Sequence, residues 1–102
     1  MPEERTLYEF TISGGNYYDG SRHTITQSNC TLTNERLIIK DSRGRTQQVN
    51  LRTISSVEPR IGIVNKDISI NIGTTASLVI YGKKDQLLDI ARMINEAMAT
   101  PS

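Results

Sequence analysis

The chain holds one cysteine, one histidine and no tryptophan among its 102 residues. A lone Cys30 can form neither an intramolecular disulfide nor a cysteine-based zinc site. A lone His23 has no evident partner for nucleophilic or general-base chemistry, and it reads as a half-exposed strand residue. There is no excess of charge of one sign. Twelve Lys and Arg face eleven Asp and Glu, a net charge of +1, whereas nucleic-acid binding domains draw much of their affinity from a basic surplus. No apolar run approaches the roughly 18 residues that would span a bilayer. The opening Met-Pro-Glu-Glu-Arg is charged and leads into no apolar core, so no secretion signal is expected and the chain reads as cytoplasmic. These absences leave no expected enzyme, cofactor, metal or nucleic-acid partner.

Aromatics are also scarce, with four Tyr and one Phe, so the core must be aliphatic. Isoleucine supplies it: Ile12, Ile25, Ile38, Ile39, Ile54, Ile61, Ile63, Ile68, Ile70, Ile72 and Ile80 all sit in β-like surroundings. β-branched side chains fit a pleated surface better than a helix. The length suits one domain, residues 1–102, with frayed ends expected at 1–5 and 100–102.

Alternation in Thr6–Ile12 puts Tyr8, Phe10 and Ile12 on one face of a strand. Ser13–Ser21, with three glycines, reads as a loop or a wide hairpin connection. Arg22–Ser28 is predicted as a strand, running on towards Leu32. Arg36–Lys40 and Thr46–Leu51 flank a hairpin turn at Asp41-Ser42-Arg43-Gly44. In Arg52–Glu58 the three-residue spacing of Ile54 and Val57 predicts a bulged or bent strand. Pro59 and Gly62 interrupt the pattern, and Asn65-Lys66-Asp67 is a turn. Ile68–Ile72 and Ser77–Tyr81 complete about seven strands. From Lys83 to Ala99 the period changes. Leu87, Ile90, Ala91, Ile94, Ala97 and Met98 then follow the spacing of an amphipathic helix, of which Leu87, Ile90, Ala91, Ile94 and Met98 are predicted to be buried.

Within that order, Leu32-Thr33-Asn34-Glu35-Arg36-Leu37-Ile38 resembles the strand opening common in GRAM domains and bacterial PH domains. In those families a glycine-containing turn follows, then an L..I..V pattern, which Gly44 and Leu51, Ile54 and Val57 match here. The resemblance implies a mainly β, PH-like fold: a partly open barrel, or strongly bent antiparallel sheet, whose open end a C-terminal helix plugs. It implies a non-catalytic binding module, for a protein partner or for self-assembly. The alternative is peripheral attachment to anionic lipid.

Candidate contacts follow from residue type. Tyr17 and Tyr18 offer large area at low entropy cost to a protein partner, although a flexible connection is the simpler account of them. Lys40, Arg43 and Arg45 around the hairpin turn, and Lys83 and Lys84 at the helix start, are candidate lipid contacts. Asp41 and Asp85 dilute both sets, and near-neutral charge implies weak lipid binding. Ile68–Ile72 and Ser77–Tyr81 lack the charges that blunt a sheet edge, so an exposed position would make them pair with another chain. A homo-oligomer, or an obligate partner strand, is the expectation.

Overall fold

A computed structural model describes residues 3–99. Nine strands precede one helix: β1 (Thr6–Ile12), β2 (Gly14–Tyr18), β3 (Arg22–Ile25), β4 (Ser28–Thr33), β5 (Arg36–Asp41), β6 (Thr46–Asn50), β7 (Ile54–Ile61), β8 (Lys66–Ile72), β9 (Ala76–Tyr81) and α1 (Lys84–Ala99). They form two antiparallel sheets, ordered β1-β4-β5-β6 and β3-β2-β9-β8-β7. Neither closes into a barrel. The mainly β architecture with a C-terminal helix is the one expected.

Two long strands connect the sheets by bending. β1 passes into β2 at Ser13, and β3 passes into β4 at Thr26-Gln27, so this hairpin pairs in one sheet at Ile12↔Ser28 and in the other at Gly15↔Ile25. This is why there are nine strands rather than about seven. Of the loop or wide hairpin connection expected over Ser13–Ser21, the hairpin is what forms: strand β2, then a short turn at 19–21 that returns the chain into β3. The reason lies in backbone approach: a Cβ on Gly15 would fall 2.3 Å from the Val79 carbonyl oxygen. Gly15 is therefore what lets β2 pack against β9, not a turn signal. The β5–β6 turn is as expected, with Gly44 at φ +85.

A 3-10 turn at Leu51–Thr53 carries the chain from one sheet to the other, held by Asn50, whose side chain accepts from the Arg52 N–H. The bulge expected in the next strand is present, as a register shift between Ile54 and Ser56. β7 then runs on through Pro59 to Ile61, which the sequence reading ended earlier. Proline is tolerated because β7 is an edge strand with one partner.

The helix covers the open end, packing on β7, β8 and the 3-10 turn. Leu87, Ile90, Ala91 and Ile94 are buried, as the spacing predicted; Ala97 joins them, while Met98 is only partly buried. Gln86 Nε2 donates to the Thr11 carbonyl and ties the helix start to β1. The core joins this stripe to Leu32, Leu37, Ile39, Ile68, Ile70, Leu78 and Ile80 in one cluster.

β8 and β9 lie inside their sheet, paired on both sides. The edge exposure on which the oligomer expectation rested is absent from these two strands. At the N-terminus, Arg5 N–H donates to Asn34 Oδ1 (2.7 Å) and Arg36 forms an ion pair with Glu4 (2.8 Å), so the backbone before β1 is tethered. Residues 1, 2 and 100–102 lie outside the described residues.

Candidate docking surface

Antiparallel pairing gathers several chain segments at one end of the five-stranded sheet. Ile61 pairs with Lys66 at the end of the β7–β8 hairpin, Tyr81 pairs with Asp67, and Gly14 pairs with Tyr81. The hairpin tip at 62–65, the Ser13 bend and the start of α1 therefore share this end. The tip is closed by a hydrogen bond from Gly62 N–H to the Asn65 carbonyl (2.8 Å). Its two central residues are apolar and almost wholly in water: Ile63 is 99% exposed and Val64 87%. The next most exposed large apolar side chain, Leu88, reaches only 40% and lies in the second turn of α1.

Around the tip the charges are mainly cationic. Lys66, Lys83 and Lys84 are all exposed. Arg60 Nε meets Asp67 Oδ1 at 2.6 Å, which neutralises that pair across the hairpin, and Asp85 is the remaining acid at the helix start. The result is an apolar finger at the same end of the sheet as three exposed lysines. Sequence reasoning placed Ile63 among the strand residues and passed over Val64. The available signal was an apolar pair enclosed by turn formers, Gly62 before it and Asn65 after it.

The two basic sets named from the sequence are not brought together. Lys83 and Lys84 belong to the finger end. Lys40, Arg43 and Arg45 lie at the β5–β6 turn, which docks on the β3–β4 bend through Ser42 N–H to the Gln27 carbonyl (3.1 Å). There Arg45 is committed to structure: its Nε donates to Asp41 Oδ2 (3.0 Å) and its Nη2 to the Thr24 carbonyl (3.4 Å). Burial pushes the Asp41 carboxyl up, but donors from Arg45 and Arg43 outweigh it and hold the group below its ordinary value. Lys40 and Arg43 remain exposed.

Tyr17 and Tyr18 are parted by the alternation of β2. Tyr17 packs against the core with its ring 6.1 Å from that of His23, whereas Tyr18 sits on the opposite face beside Ser77. They also lie at the far end of the sheet from the finger, since Tyr18↔Ser77 is the last pair before the 73–75 turn.

His23 Nε2 lies 3.0 Å from Asp19 Oδ1, and that bond holds the Asp19 carboxyl below its ordinary value. Cys30 is buried, and burial pushes its thiol up to about 12, far from the thiolate that nucleophilic chemistry needs. Among the described residues no group of three or more His, Cys, Asp or Glu could hold a metal ion, and no helix is long and apolar enough to cross a membrane. A shallow groove lined by Ser55, Ser56, Asn71 and the 73–77 segment is polar and carries no charged side chain.

No protein-family model matches the sequence, and the search of curated proteins gave no match. Solved structures do match. The Vps36 N-terminal PH domain superposes with a TM-score of 0.75 at 15% identity, over 93% of this chain and 79% of that one. The C-terminal domain of an unknown protein from Leishmania infantum does so with a TM-score of 0.68 at 10% identity, over 93% and 85%. Identities this low carry the fold and nothing finer. Two antiparallel sheets bridged by bent strands and plugged by a C-terminal helix, superposing on a PH domain over nearly the whole chain, give this protein the PH-like fold.

Proposed function

We propose that this chain is a non-catalytic binding module that attaches peripherally to anionic membrane surfaces, with the Ile63–Val64 finger entering the lipid. The observation that supports the reading most is the near-complete exposure of both side chains at the same end of the sheet as Lys66, Lys83 and Lys84. A folded chain gains nothing by holding two aliphatic residues in water, whereas a bilayer rewards their burial. Full burial of such side chains is worth about 1.5–3 kcal/mol each, and each lysine near an anionic surface adds about 1 kcal/mol. Either contribution alone gives marginal attachment. An apolar insertion combined with a basic patch is the pairing that holds a protein at a membrane reversibly.

This reverses the order suggested by composition. Net charge alone implied weak lipid binding, because patches of this size are screened beyond roughly 8 Å at physiological salt. The finger supplies an apolar contribution that salt does not screen. A protein partner engaged by Tyr17 and Tyr18 together has less support, because their side chains leave opposite faces of β2.

Co-sedimentation with vesicles tests the reading. The protein is expected to pellet with phosphatidylserine-rich vesicles and to remain in solution with pure phosphatidylcholine. Reversing two charges in Lys83→Glu/Lys84→Glu should weaken binding by roughly tenfold or more. Equal binding by this variant and the native chain would remove the role given to the helix start, and no pelleting on either lipid would end the proposal.

A further inference from the structure

Four strands form the edges of the two sheets: β1 and β6 in one, β3 and β7 in the other. An unpaired edge is a template for another strand unless something blunts it. Three of the four are blunted. β7 carries Pro59, Glu58, Arg60 and the bulge between Ile54 and Ser56. β1 carries Glu9 and a register shift between Thr6 and Tyr8. β3 is four residues long and has its Thr24 carbonyl engaged by Arg45. β6, Thr-Gln-Gln-Val-Asn, has no charged residue, no proline and no break in register against β5.

The hydrogen bonding of the β5–β6 hairpin shows which backbone groups this edge offers. Leu51 N–H donates to the Glu35 carbonyl and Asp41 N–H to the Arg45 carbonyl, both at 2.9 Å. In an antiparallel pair such bonded positions recur at every second residue, so Arg45, Gln47, Val49 and Leu51 face β5. Thr46, Gln48 and Asn50 therefore turn their N–H and C=O groups outward, with side chains exposed. The Asn50 carbonyl already accepts from Thr53 Oγ1 (2.6 Å) and keeps a second lone pair. The helix packs mainly on β7, β8 and the 3-10 turn, and no strand lies beyond β6 in its sheet.

We propose that β6 is a self-pairing edge: two copies of the chain join by antiparallel pairing of Thr46–Asn50, with a two-fold axis at Gln48. The segment is suited to its own copy. About that axis Gln48 meets Gln48, and Thr46 meets Asn50 in both directions, so every pair on the exposed face is uncharged and able to hydrogen-bond, while Gln47 meets Val49 on the inner face. The charges on that face stand one strand back, on β5, with Arg36 opposite Asn50 and Lys40 opposite Thr46; Arg36 is held by Glu4 and donates to Gln48 Oε1 (2.7 Å), so no like charges lie directly opposite each other across the axis. Joining the two edges makes one continuous eight-stranded sheet from two four-stranded ones. The contact is small, which places the dimer in the weak, transient class.

Sedimentation velocity from about 10 μM to 1 mM, a range suited to contacts of this size, tests the pairing. A reversible monomer–dimer equilibrium is expected. Gln48→Pro, which removes one outward N–H, and Gln48→Glu, which places two carboxylates across the axis while keeping an acceptor for Arg36, should each weaken it at least tenfold while moving the melting midpoint by no more than about 3 °C. Gln48→Cys should form an oxidised dimer readily, and Thr24→Cys on the β3 edge should not. A strict monomer throughout, or a dimer that both Gln48 variants leave intact, overturns the proposal.

Discussion

A chain that stops at Gly82 is expected to show no cooperative unfolding transition and to aggregate at micromolar concentration. The helix contributes Leu87, Ile90, Ala91, Ile94 and Ala97 to the core, and three of these are wholly inaccessible to water. Burying each of the large ones is worth about 1.5–3 kcal/mol. A domain of this size has roughly 5–15 kcal/mol in total, so losing the stripe removes most or all of the margin. Truncation also uncovers the inner faces of β7 and β8, where Ile68 and Ile70 are completely buried. A milder change should show the same dependence in graded form: Ile90→Ala is expected to cost about 2–5 kcal/mol, measured by denaturant unfolding. A truncated chain that stayed soluble and melted sharply would mean that the two sheets close without the helix.

The finger variant should behave in the opposite way, losing binding and keeping stability. In Ile63→Ser/Val64→Ser, affinity for phosphatidylserine-rich vesicles is expected to fall by about a hundredfold, which corresponds to about 3 kcal/mol of lost apolar transfer. Both side chains are in water in the free protein, so no core contact is broken. The thermal midpoint should stay within about 3 °C of the native value, as for surface substitutions in general. Raising the salt separates the two contributions, because screening weakens the lysines and not the finger. The residual binding of the native chain at high salt should therefore exceed that of the variant. Loss of binding together with a large drop in midpoint would point to misfolding instead of a lost anchor.

Where local pattern and tertiary demand agree, the sequence was readable. β1 has the predicted bounds, and the α1 stripe is buried with Ala97 taking the place given to Met98. The Asp41–Gly44 turn agrees as well, since its chemistry is local: Asp41 accepts from the N–H groups of Arg43 and Arg45 within four residues. Disagreement arose where a residue type has two uses. Gly14-Gly15 looks like a loop, but Gly15 answers the close approach of β9, a partner more than 60 residues away. Pro59 looks like a strand breaker, but an edge position has no bond for it to break. β8 and β9 looked like candidate edges because strand order depends on pairings that periodicity does not record.

The candidate site was less legible than the fold, for a related reason. Lys83 and Lys84 could be named from the chain, but their proximity to the β7–β8 tip follows from the Tyr81↔Asp67 and Ile61↔Lys66 pairings. Ile63 was indistinguishable from the strand isoleucines around it until the hairpin placed it at a turn. The outward groups of β6 depend on the phase of hydrogen bonding with β5, which the side-chain pattern does not contain.

Because the chain has no tryptophan of its own, Ile63→Trp turns the finger into a single reporter of its surroundings. On phosphatidylserine-rich vesicles its emission is expected to shift to the blue, to resist quenching by aqueous iodide and to be quenched by lipids brominated along the acyl chain, as for a side chain about 5–10 Å below the headgroup boundary. Emission that stays at its aqueous wavelength, with full access to iodide and no quenching by brominated lipid, would contradict insertion of this tip.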